Sequence, residues 1–230
     1  MEGIVSTLRA YHAGNDNIII VGLLLVFILF TFVICRCREI LLYKIRTYFS
    51  SRQIYATDEI STNNREQVDI LLLILIGLFS LSLTLYINSQ DLVTIDEHAN
   101  YSTLFLVMLT LTLTVGAQIG IYMFVNWIFF PTEVNKHWIS SYIYLLAAAS
   151  VIILPLAIIQ TFSTFDCSPN ISLCLIIILI LQKIILFCKL YANFKPKRYG
   201  QILFFLYFCS VEIMPTLITL HVLRQMEVIS

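Results

Sequence analysis

Charge is scarce in this sequence: 14 Lys or Arg and 14 Asp or Glu among 230 residues, 12% in all, with a formal net charge of zero. Soluble domains carry about 25% charged residues. Here 59% of residues are hydrophobic and the mean hydropathy is +0.89, which excludes water as the main solvent. Without a basic excess there is no electrostatic case for a nucleic-acid partner. Paired metal-ligand spacing is missing as well. Cys35, Cys37, Cys167, Cys174, Cys188 and Cys209 fall mostly within apolar stretches, and His12, His98, His137 and His221 stand far apart. No metal site and no cofactor are therefore expected. There is no cluster of Ser, His and Asp of the kind that carries intramembrane hydrolysis, so no enzymatic activity is expected either. No small-residue cleavage site follows the first apolar run, which is expected to stay in the mature protein. Neither an internal repeat nor a stretch long enough for a separate soluble domain is present.

Long apolar runs are what the sequence has instead. A helix crossing a hydrocarbon layer about 30 Å thick needs about 20 mostly apolar residues. Six segments fit, at about 18–35, 70–87, 102–130, 141–162, 171–194 and 201–223. The expected fold class is all-α: a polytopic bundle of six transmembrane helices forming one membrane domain over residues 1–230. Eleven of the 14 basic residues, namely Arg36, Arg38, Lys44, Arg46, Arg52, Arg65, Lys136, Lys189, Lys195, Lys197 and Arg198, fall on one side of that bundle. The positive-inside rule makes that side cytoplasmic and puts both termini outside. The basic loop at about 36–68 begins with Leu41, Leu42, Ile45, Tyr48 and Phe49 at helical spacing. This stretch either lies on anionic lipid at the cytoplasmic surface or prolongs the first helix.

Two charges fall inside apolar helices, Lys183 in the fifth and Glu212 in the sixth. Counted from the short turn joining these helices, both lie roughly 18–21 Å deep at 1.5 Å rise per residue, near the midplane. An ion pair is expected, because a single buried charge costs at least about 2.5–3.5 kcal/mol on insertion scales. Gln118, Asn126, Gln160 and Gln182 are candidates to surround it. Gln118 and Asn126, eight residues apart, share a helix face. Pro215, three residues after Glu212, is expected to kink the sixth helix and free backbone carbonyls near the charge. Gly116 and Gly120 form a GxxxG spacing, a weak signal for close helix approach. Cys167 and Cys174 lie near one predicted outer surface, where a disulfide depends on an oxidising compartment.

The run Phe204-Phe-Leu-Tyr-Phe-Cys-Ser-Val-Glu212-Ile-Met-Pro215 resembles the signature of an uncharacterised polytopic membrane family of Bacteroidota, the domain of unknown function numbered 4271. Tyr122-Met-Phe-Val-Asn-Trp127-Ile-Phe-Phe130 and the basic loop followed by Asn64-Arg-Glu-Gln extend the resemblance over almost the whole chain. It implies a bacterial inner membrane and matches Glu212 and Pro215 to the family pattern, but it supplies no reaction. Together these readings lead to the expectation of a non-enzymatic inner-membrane subunit or assembly factor. Its partners would be membrane lipid and other inner-membrane proteins or further copies of itself. The alternative is a small secondary transporter or proton-coupled carrier using Glu212 and Lys183.

Overall fold

The computed structural model describes residues 16–49, 64–90, 101–129, 132–162, 168–194 and 209–225. These form six helices: α1 (Asn17–Phe49), α2 (Asn64–Gln90), α3 (Tyr101–Phe129), α4 (Thr132–Phe162), α5 (Ser168–Phe194) and α6 (Met214–Gln225). A π-helical turn, Cys209–Ile213, leads into α6. No strand occurs among the described residues. Four stretches, Asn17–Tyr43, Arg65–Asn88, Tyr101–Val125 and Ile139–Phe162, are long and apolar enough to cross a membrane. In α5 the apolar stretch Leu173–Cys188 is shorter, and residues 201–208 of the expected sixth helix lie outside the described part. The all-α reading of the sequence holds, with four membrane-length spans among the six helices.

α1 runs unbroken through the basic stretch to Phe49, so this segment prolongs the first helix and is not a separate surface helix. Asp16 caps it: Oδ1 accepts the Ile18 amide at 3.0 Å, which satisfies one of the free N–H groups of the first turn. The other carboxylate oxygen accepts the Tyr101 hydroxyl at 2.8 Å, which brings the first turns of α1 and α3 together.

α2 is the central helix. Two-thirds of its apolar span is buried (67%), against 17% for α1 and α3, and it packs on α1, α3, α4 and α5. A helix surrounded by others needs small side chains wherever backbones approach, and polar side chains that satisfy themselves. Ser80, Ser82 and Thr84 have no exposed surface, and each hydroxyl donates to a carbonyl three or four residues back, at 2.8–2.9 Å. Gly77 marks the closest approach to α4, where a Cβ would meet Cα of Ser150 at 2.9 Å. Pro155, inside α4, is exposed, and the helix continues past it to Phe162.

Side-chain contacts fix the relative directions of the helices. Gly77 faces Ser150, and the Gln160 amide donates to Asn88 Oδ1 at 2.7 Å, so α2 and α4 run parallel. Arg36 of α1 pairs with Asp69 of α2 at 3.2 Å, and these two helices are antiparallel. Arg36 and Asp69 therefore mark one end of the bundle, and Asp16, Tyr101, Asn88 and Gln160 mark the other.

Candidate functional site: a buried carboxylate between three helices

Lys183 faces inward because α5 packs on α4 along one stripe. Leu175 and Leu186 are buried and Leu179 is partly so, and Lys183 falls four residues after Leu179 on the same face. Glu212 lies in the π turn. Pro215 has no N–H to donate to the carbonyl of Val211, and its ring would clash with that group in a regular helix. A widened turn relieves both problems. The expected kink is therefore a π turn, in which consecutive residues Val211 and Glu212 are both buried. Thr216 donates to the Glu212 carbonyl at 2.7 Å, so that backbone acceptor is also engaged.

The structure pairs these two charges: Lys183 Nζ contacts Glu212 Oε2. The other carboxylate oxygen, Oε1, accepts the Tyr122 hydroxyl of α3 at 2.5 Å. The carboxylate has no exposed side-chain surface, whereas the Lys183 side chain keeps 34% of its own. Tyr122 packs against Tyr142 of α4, with ring centroids 5.2 Å apart and planes at 54°. The Tyr142 hydroxyl donates to Gln118 Oε1 at 3.0 Å. One turn further along, Thr114 and Thr219 share a 2.6 Å hydrogen bond between α3 and α6. The result is a polar seam along α3 built from Thr114, Gln118 and Tyr122 at four-residue spacing, facing α6 and α4. A cavity of about 130 Å³ lies beside the pair, lined by Lys183, Glu212, Ile213, Thr216 and Leu217.

Several sequence expectations are corrected. The site sits toward the Arg36–Asp69 end of the bundle: Tyr142, whose ring packs on Tyr122, lies eight residues before Ser150, about 12 Å along α4. Gln160 is not near the pair. It is 18 residues further along α4 than Tyr142, bonded to α2 at the opposite end. Gln182 is half-buried and outside the network, since adjacent helix positions point in different directions. The Asn126 side chain lies outside the described residues. Gly116 and Gly120 approach nothing within 4 Å, because α3 turns its Gln118–Tyr122 face inward and leaves the glycines opposite. Cys174 is an exposed free thiol, and Cys167 lies outside the described residues.

Tyr122 and Tyr142 were missed by the sequence reasoning. The signal was present: Tyr122 stands midway between Gln118 and Asn126 on their shared face. Aromatic residues in a membrane helix read as packing, however, and nothing local shows which hydroxyl meets a carboxylate.

Four apolar helices of membrane length, packed in one bundle, define a polytopic α-helical membrane protein. A family profile described as "Domain of unknown function (DUF4271)" matches residues 19–223, and the chain belongs to that family. Neither the curated proteins nor the solved structures contain a match to it.

Proposed function

We propose that this protein is a non-enzymatic multi-pass subunit or accessory factor of a bacterial inner membrane, working through helix contacts with other membrane proteins. The observation that carries this reading is the state of Glu212. Its carboxylate has no exposed surface, and each oxygen is held by a different helix, Oε2 by Lys183 and Oε1 by Tyr122. A group that loads and releases a proton or solute needs access to water, whereas a neutralised, enclosed carboxylate holds helices in register. Lys183 adds a second argument. One-third of its side chain is uncovered beside exposed Ile213 and Leu217, and a neighbouring protein would shield it from lipid. The bacterial inner-membrane setting rests on the family resemblance and on the basic residues gathered at one end.

A second reading, a small proton-coupled carrier, is favoured by the cavity that touches both Lys183 and Glu212. Purification of the tagged full-length protein from its native membrane in mild detergent, with mass spectrometry of what accompanies it in fixed ratio, separates the two. A stoichiometric protein partner is the expected result. A chain that purifies alone, or with further copies of itself, moves the assignment to the carrier.

A further inference from the structure

The Arg36–Asp69 end holds a cavity that the site above does not use. It measures about 430 Å³, opens between α1 and α2, and is lined by Arg36, Arg65, Val68 and Asp69. Arg36 is fixed on two sides: it pairs with Asp69 at 3.2 Å, and its guanidinium carbon lies 5.5 Å from the centroid of the Phe32 ring. Asp69 is largely buried and balances Arg36. No carboxylate among the described residues pairs with Arg65, which is exposed in the first turn of α2. The cavity lining therefore carries two guanidiniums and one carboxylate, an excess of one positive charge, with Glu66 beside Arg65 in the same first turn of α2.

The apolar surface beyond this cavity identifies the kind of anion. Arg65, Val68, Leu72 and Leu75 follow one another at helical spacing on a single face of α2, and the three apolar members are exposed (56%, 38% and 36%). On α1, Phe32 and Leu29 are exposed at matching depth, given the antiparallel Arg36–Asp69 register. A cavity with an excess positive charge beside exposed apolar side chains of both helices is complementary to a molecule with a phosphate at one end and hydrocarbon at the other. Basic pockets between helices at the cytoplasmic face are a recurrent way of holding acidic lipid headgroups.

We propose that this cavity is a binding site for the phosphate headgroup of an anionic phospholipid, with Arg65 and Arg36 as the phosphate-contacting residues and the Val68–Leu72–Leu75 stripe as the acyl-chain path. The proposal is independent of what the Glu212 site does.

The test uses the purified full-length protein in a neutral detergent and follows its thermal unfolding midpoint. It is titrated with dioctanoyl phosphatidylglycerol, dioctanoyl phosphatidylcholine or inorganic phosphate. A saturable rise with phosphatidylglycerol, and little change with the other two, is expected. Arg65→Gln should weaken the apparent affinity for phosphatidylglycerol about fivefold, the effect of one basic residue at an anionic surface. Arg224→Gln, a charge change in the last turn of α6, should leave it unchanged. Should Arg65→Gln not fold, Val68→Glu places a carboxylate in the cavity wall and is expected to weaken binding in the same way. Equal responses to the two lipids, or an unchanged affinity in Arg65→Gln or its substitute, overturn the site. A response to inorganic phosphate equal to that of phosphatidylglycerol overturns the lipid assignment.

Discussion

The Tyr122 hydroxyl reaches Oε1 of Glu212 at 2.5 Å across 90 residues of sequence, and so ties α3 to the π turn before α6. Lys183 ties the same carboxylate to α5. α5 packs chiefly on α4, and α6 on α3, so Glu212 joins two helix pairs that also meet where α3 packs on α4 through Tyr122, Tyr142 and Gln118.

Tyr122→Phe removes one hydroxyl and leaves a buried carboxylate oxygen without its donor. Hydrogen bonds to charged groups contribute about 1.5–3 kcal/mol, so a loss of that order is expected in reversible unfolding in detergent. Tyr142→Phe, which breaks a neutral bond to Gln118, should cost about 1 kcal/mol. Equal losses in the two variants would show that the charge on Glu212 adds nothing to the Tyr122 bond.

At the α2–α4 crossing, Gly77→Ala places a methyl 2.0 Å from Ser150 Oγ, 2.4 Å from its Cβ and 2.9 Å from its Cα. Rotation of the serine side chain does not relieve the last two contacts, so the helices must separate. Overpacking of this kind costs about 1–3 kcal/mol. Adding Ser150→Gly removes the Oγ and Cβ contacts and should restore part of that loss, whereas Gly116→Ala, which meets nothing within 4 Å, should be near neutral. Thermal midpoints of the parent chain and these three variants in one detergent check all of this.

Orientation has a separate test in intact cells, made in a background with the native cysteines replaced. With the basic end cytoplasmic, Asp96→Cys should react with an impermeant thiol reagent and Asn63→Cys should not. The reverse pattern inverts the orientation and places the Arg36–Asp69 cavity against the opposite leaflet.

Much of the architecture was legible because apolar length is a direct physical requirement for crossing a bilayer. The helical bounds of α1 and α4 were underestimated because hydropathy ends where the apolar layer ends, while backbone hydrogen bonding continues into Arg38–Phe49 and Thr132–Ser140. Lys183 and Glu212 were visible as isolated charges in apolar surroundings. Their place toward the Arg36–Asp69 end was not, because it depends on the register between helices that contacts such as Gly77–Ser150 set. Tyr122, Tyr142, Thr114 and Thr219 were hidden for a related reason. Their hydroxyls acquire meaning only when α3, α4 and α6 are brought side by side, and a single helix shows neither which face turns inward nor what it meets.

The central claim is that Lys183 and Glu212 act as one neutralised unit that holds the bundle together. A double-mutant cycle tests it most directly, with unfolding free energy in detergent measured for the parent chain, Glu212→Gln, Lys183→Met and the double variant. Lys183→Met should cost at least about 2 kcal/mol, because it leaves the buried Glu212 carboxylate without its partner, and Glu212→Gln should cost less, because Lys183 keeps one-third of its side chain uncovered. The double variant should recover part of that loss, giving a coupling energy of about 1–3 kcal/mol. Losses that simply add would contradict the account and show that the two charges, though in contact, do not stabilise one another.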